Sequence, residues 1–322
     1  MTSSTKYIGM DVHKVSISIA VRNAAGKVVM ECVIETKASM TVVVCDPRRN
    51  ALLQDGNQND RVDARKLSDL LYMNKLSTVY HGDHGLRTLK ELGRSYLTVT
   101  KDQSRVMSRI KAIYRSWAIP CSGKQVYGSR HRAEWLGKIP EPGVHRRAEF
   151  YYQQLDALRV LRQEVRRDLL VESKKHKIWK RLCEIPSIGP IRAAELLSIL
   201  QTPHRFRTKR QLWTYCGLGV VTSSSADHEL ENGQLRRRKK RVETRGLNEN
   251  CNHDLKNLLK GAAVVASLQP GPFAEFYAAL LAKGMRPEMA RLTLARKIAT
   301  IVLIVWKKGV SFDVQHLKPQ TA

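Results

Sequence analysis

The chain has 322 residues, with 56 Lys and Arg against 29 Asp and Glu, and a formal charge of +27. That excess excludes an ordinary metabolic enzyme and asks for a polyanionic partner, because each phosphate neutralised releases a counterion. It runs through structured-looking segments, so a basic tail on some other protein does not account for it, and the length fits two domains or one domain with an extended insertion.

In chain order, Lys6 to Asp11 reads as an apolar strand ending on an acid. Val15–Val21 and Val28–Ile34 read as two further strands, joined by the short Gly-containing link Asn23–Lys27. Val62 to Met73 has the apolar spacing of a helix, with Asp60 at its N-terminal end and Asp63 inside it. Residues three apart share a helix face, so Asp60 and Asp63 can point at one cation; the plain alternative is that Asp60 is only an N-cap. Residues 85–116 and 147–175 carry apolar positions every three or four residues and predict two long helices, either an antiparallel hairpin or a dimer coiled coil. Pro120, Gly123, Gly128, Pro140, Pro142 and Gly143 mark a loop-rich tip between them. Arg105, Arg109, Lys111, Arg115, Arg162, Arg166 and Arg167 line these helices as a solvated face or a nucleic-acid face.

Residues 178–322 predict a helical domain. Ile185–Pro190 (IPSIGP) resembles a helix-hairpin-helix turn, in which Gly189 would let backbone N–H groups approach a phosphate. Arg236, Arg237, Arg238, Lys239, Lys240 and Arg241 are six consecutive cations suited to phosphate contact. Met289 to Trp306 reads as a core helix, with Trp213, Phe273, Phe276 and Trp306 as core aromatics. The histidines show no ligand spacing. The six cysteines (Cys32, Cys45, Cys121, Cys183, Cys216, Cys251) show no CxxC pair and read as reduced, mostly buried thiols rather than a disulfide framework or zinc ligands. The longest apolar run, Ile298 to Trp306, is too short for a bilayer, and no signal peptide precedes Tyr7. The expectation is a cytoplasmic protein with no membrane partner.

Eight blocks in order carry a family resemblance. They are Tyr7–Val21, Val42–Asn50, Asn59–Leu71, Ile185–Leu197, Phe206–Leu218, Ser223–Ala226, Thr244–Leu259 and Ala295–Val302. In these the chain resembles the DEDD transposases (recombinases) of bacterial insertion sequences, the Piv-like IS-one-ten family. The resemblance implies an incomplete RNase H-like (RuvC-like) α/β domain at 1–80. A helical coiled-coil hairpin at 81–177 and an all-α, serine-bearing transposase domain at 178–322 would follow. It maps three of four metal-holding acids onto Asp11, Asp60 and Asp63, with Mg²⁺ as the ion; hard cations take oxygen ligands.

The fourth acid, a Glu on a central strand, should lie between the third strand and Val42–Pro47, where Glu35–Met40 runs straight into Thr41–Val44. A parallel crossover normally needs a dozen or more residues. Lys37–Met40 reaches about 14 Å, which three strand spacings of ~4.8 Å already use. Asp46, at the end of that run, is therefore a poor substitute, and Glu35 ends an edge strand.

The same resemblance places the nucleophilic serine on Ser225, followed by Ala226 where the family usually has Gly. A small register slip would move the role to Ser223 or Ser224. A serine needs a base or a metal to take its proton. The implied activity is DNA cutting and rejoining through a phosphoserine, by a homodimer or homotetramer with an element-encoded guide RNA. Two alternatives stand beside it. One is a degenerate member that binds nucleic acid without cleaving it, which the missing Glu favours. The other is a plain RNase H-like nuclease, which the serine-bearing domain disfavours because such enzymes use water.

Overall fold

The structure, a computed structural model, describes residues 6–12, 16–35, 59–76, 86–223, 228–231, 234–237 and 243–317. They fall into two units, 1–82 and 83–322.

In the first unit β1 (Tyr7–Val12), β2 (Ser16–Arg22) and β3 (Val28–Glu35) form an antiparallel sheet in that order. The β2–β3 link is a turn: Asn23 Oδ1 accepts from the N–H groups of Ala25 and Lys27. Gly26 there takes φ 78°, which costs glycine nothing. The pleat gives the sheet two faces. On one, Ile17, Ile19 and Val21 are buried with Met10, Cys32 and Ile34 against them. Register puts Gly9, Asp11, Ser18, Ala20 and Glu31 on the other, and α1 (Asp60–Tyr72) packs against β1 and β2. A Cβ on Gly9 would lie 2.2 Å from the Ala64 carbonyl oxygen and 2.5 Å from the Ser68 nitrogen, so helix and strand touch backbone to backbone. Tyr72 meets Tyr7 edge-on, with ring centroids 5.0 Å apart. Arg22 donates to Ser68 and pairs with Asp69. Arg61 and Arg65 both grip Glu31; hydrogen bonds from Arg65 and then Arg61 hold its carboxyl at about 2. The helix begins two residues before the expected Val62 because Asn59 caps it, its Oδ1 accepting the Val62 N–H at 2.8 Å. The cap is therefore Asn59, not Asp60.

In the second unit α2 (Arg87–Ser116) and α4 (Pro142–Lys174) form an antiparallel hairpin within one chain. Near one end Arg162 donates to Tyr96 Oη at 3.1 Å; near the other Tyr114 and Tyr152 share a hydrogen bond of 3.0 Å. The tip is more ordered than its prolines and glycines suggest. It holds a helical turn, Gln125–Tyr127, and α3 (Arg132–Gly137). Cys121, Val126, Tyr127, Trp135 and Ile139 bury there against Val106, Ile110, Ile113, Tyr114, Ala148, Tyr152 and Leu155. This is a small core of its own.

The hairpin root enters a larger core through Leu89, Tyr96 and Leu169. That core is built by α5 (Lys177–Cys183), α6 (Pro190–Leu200), α7 (Lys209–Tyr215), α8 (His253–Leu268), α9 (Pro272–Ala282) and α10 (Pro287–Lys308). α2 crosses α6 closely, since a Cβ on Gly93 would lie 2.3 Å from Ser198 Oγ. α10 buries Leu294, Ile298, Ile301 and Val302. Phe273 is buried, and Trp213, Phe276 and Trp306 pack against the core. Segments 81–177 and 178–322 thus belong to one unit.

The helical reading of 178–322 needs one correction. Four strands lie between α7 and α8: β4 (Val220–Ser223), β5 (His228–Glu231), β6 (Gln234–Arg237) and β7 (Glu243–Leu247). β4 pairs with β7 and β5 with β6, both antiparallel. Among the described residues no helix is long and apolar enough to cross a membrane, and the five described cysteines are free.

Candidate active site

The serine segment leaves the helical core through a tightly specified turn. α7 is held by a capping box between Thr208 and Gln211 and ends at Tyr215. Gly217 follows at φ 65°, and a Cβ there would lie 2.4 Å from Cys251 Sγ, so conformation and space both demand glycine. The N–H groups of Leu218 and Gly219 donate to the Trp213 carbonyl at 2.8 and 3.0 Å. Arg296 on α10 donates through Nε to the Leu218 carbonyl at 2.7 Å, and Trp213 Nε1 donates to the Arg296 carbonyl at 3.0 Å. At the same root of the strand pair the Asn248 N–H donates to the Gly219 carbonyl, and its side chain to the Thr214 and Asn250 carbonyls. β4 and β7 are therefore anchored on the core at both their roots.

Ser223 is the last residue of β4 and lies opposite Glu243. Ser224, Ser225 and Ala226 fall outside the described residues. Chain connectivity puts Ser225 two residues past the paired end of β4.

The basic run begins on a strand. Arg236 and Arg237 belong to β6, opposite Glu229 and His228; Arg238, Lys239, Lys240 and Arg241 lie outside the described residues. The turn at Ile185–Pro190 leads into the N-terminus of α6. Gly189 is the N-cap of α6 with φ −74°, and a Cβ there would meet nothing within 4 Å. The left-handed residue is Ser187, at φ 70°, whose carbonyl accepts from Arg192 Nη1 at 2.7 Å. Among the described residues nothing crowds position 189.

In the first unit, Asp11 lies two residues beyond Gly9 on the face that α1 covers, and Asp60 and Asp63 lie in the first turn of α1. The helix runs antiparallel to β1, with Tyr72 at Tyr7 and Ala64 and Ser68 at Gly9. The next step of that register sets Asp11 beside the first helical turn. Among the described residues Asp63 Oδ1 is buried and accepts no hydrogen bond; Lys66 Nζ lies 3.7 Å away. Such an orphaned oxygen suits a cation, but one atom is not a site. Among the described residues no three His, Cys, Asp or Glu side chains come close enough together to hold a metal. As placed, the three acids do not fit one ion. Asp46 lies outside the described residues.

Two charged groups in the second unit had no distinct signal in the sequence. Arg296 is half-buried, desolvation lowers its pKa, and its Nη2 has no hydrogen-bond partner among the described residues. Glu195 on α6 has its carboxyl pushed up to about 7 by burial and by Asp254, against the pull of Arg192 and Arg162. Periodicity marks both positions only as helical.

Residues 179–278 match the model of the transposase IS116/IS110/IS902 family. The match runs from within α5 into α9, and so spans the serine segment and all four strands β4–β7. Over that stretch the chain is similar to this transposase family. No curated protein matches the chain.

Proposed function

We propose that this chain is an insertion-sequence transposase whose nucleophile is Ser225. The observation that carries the reading is the transposase match over 179–278, a stretch in which Ser223 ends a strand anchored at its root. In this reading the Ser225 hydroxyl attacks a DNA phosphorus. A phosphoserine bond forms, the bond to one deoxyribose oxygen breaks, and the serine proton passes to a base. The phosphoester is retained for rejoining. A structured guide RNA from the element and a homodimer or homotetramer belong to the same proposal. Mg²⁺ would be held by Asp11, Asp60 and Asp63, whose arrangement here is not a three-acid set.

A second reading is favoured by that same arrangement and by the missing Glu: a relative that binds nucleic acid but does not cut it. A covalent-adduct assay separates the two. Protein, Mg²⁺, the element's end DNA and its flanking transcript are combined and run on a denaturing gel beside Ser225→Ala. An adduct in the parent and none in the variant supports the transposase. Tight, salt-sensitive binding with no adduct in either supports the binding-only protein. An adduct that persists in Ser225→Ala and vanishes in Ser224→Ala or Ser223→Ala would move the nucleophile along the triplet.

A further inference from the structure

The tip of the α2–α4 hairpin is a folded, unbalanced cation cluster. From 109 to 147 the chain holds nine Lys and Arg and two acids, a surplus of +7 in 39 residues where the whole chain carries +27 in 322. Both acids are committed. Glu134 pairs with Lys138 at 2.9 Å, and Glu141 caps α4 by accepting the Val144 N–H. Arg132 is taken by Asp156 through two hydrogen bonds of 2.6 and 2.8 Å, and Arg146 by Glu149. Arg109, Lys111, Arg115, Lys124, Arg130 and Arg147 have no carboxylate partner among the described residues. All but Lys111 are exposed.

These cations stand on a rigid support. Tyr152 Oη donates to the Val126 carbonyl at 2.8 Å and Arg159 Nη2 to the Tyr127 carbonyl at 2.7 Å. Tyr114 packs edge-on against Trp135 at 5.2 Å, and Lys138 covers the Trp135 ring at 4.1 Å. Charges fixed in place lose less entropy on binding than charges on a loop. The support also stands away from the large core. Between the α6 crossing at Gly93 and the tip core at Tyr114, α2 climbs about 30 Å at 1.5 Å per residue.

We propose that the hairpin tip binds the phosphate backbone of a nucleic-acid duplex, through Lys124, Arg130, Arg147 and the cations beside them. The surface is dominated by exposed cations, which serve phosphate contacts that position a duplex. It stands whether or not Ser225 is a nucleophile.

The test uses the full chain without divalent metal, so that no cutting occurs. Binding to a DNA duplex and to an RNA duplex of the same sequence is measured across a salt series. Three proteins are compared: the parent; K124Q/R130Q/R147Q; and K260Q/K283Q/K308Q, which neutralises three exposed cations of the second unit away from the tip. Among the described residues none of the three altered side chains makes a hydrogen bond or ion pair, so equal thermal melting of parent and tip variant is expected and is checked. Each lost phosphate contact lowers the slope of log K against log salt by about 0.9 on DNA. The tip variant is expected to lose about two to three slope units and at least about tenfold in affinity near physiological salt. The other triple variant is expected to lose less than half as much. Loss on one duplex alone names that duplex as the partner. Unchanged binding by the tip variant, or equal loss in both triple variants, overturns the proposal. An absent serine adduct leaves it intact, so the two readings fail separately.

Discussion

The two units hold their helices by different means. In the first, α1 lies on a polar sheet face through Arg22–Asp69, Arg61–Glu31, Arg65–Glu31 and the bare backbone of Gly9. In the second, α10 packs mainly through buried Leu, Ile, Val and Ala side chains, with Arg296 and Lys307 donating to backbone carbonyls at its edge. Exposed ion pairs contribute little each and weaken in salt, whereas buried apolar side chains contribute about 1.5–3 kcal/mol apiece. The first unit should therefore yield to backbone clashes, salt and acid, and the second to changes of volume and to burial of charge.

The largest expected effect is at Gly9. Gly9→Val pushes side-chain atoms into the Ala64 and Ser68 backbone, which cannot move aside locally. The cost should exceed about 3 kcal/mol. Amide exchange should show protection lost across 61–72 while 87–116 keeps its own; preserved protection in α1 would refute the close approach. Gly93→Ala is the matching test in the second unit. Its new Cβ meets only the Ser198 side chain, at 2.3 and 2.5 Å, so a loss of about 2 kcal/mol is expected. Adding Ser198→Gly should recover more than about 1 kcal/mol of it, read from denaturant midpoints in a double-mutant cycle. No recovery would mean that the α2–α6 crossing is set by something other than these two residues.

Glu195 sharpens the contrast through pH. Its folded pKa of about 7 lies above the ordinary 4.5. The associated stability is fully present below 4.5 and is lost as pH rises through 7. Glu195→Gln should flatten that slope, worth at most one proton, and raise the melting temperature above pH 7; an unchanged profile would show that the carboxyl titrates as it does in the unfolded chain. The smallest effect is at Glu31, whose carboxyl sits at about 2. Here the sign reverses, with stability present above 4.5 and lost as pH falls through 2. Glu31→Gln should remove that acid sensitivity and halve the response of α1 exchange to about 1 M salt.

Much of this architecture could be read from local pattern. The strands at 7–12, 16–22 and 28–35 and the long helices at 87–116 and 142–174 lie within a few residues of their expected bounds, because each has a period that repeats along its own length. The strands at 220–247 carry no such signal. Each is four or five residues long, HELE and QLRR alternate charges more than apolar groups, and β4 finds its partner some twenty residues later. Their pairing is a tertiary fact. The tip core was hidden for another reason: Cys121, Val126, Tyr127, Trp135 and Ile139 are spaced by neither strand nor helix period, and the prolines around them read as loop. Of the candidate site, Asp11, Asp60 and Asp63 lie on the expected elements, while the separation of their carboxylates is a tertiary property that spacing along the chain does not encode.

The pairing of Ser223 with Glu243 has an evolutionary consequence. Paired residues on antiparallel strands stand about 5 Å apart, so the chain departs at 223 and comes back at 243 through a single narrow gate. Closing such an excursion costs only slowly more as it lengthens. Whatever lies between the gateposts can be lengthened, trimmed or exchanged as a cassette while α7, α8 and α10 keep their packing. A lineage can thus change what surrounds the serine without rebuilding the protein that carries it.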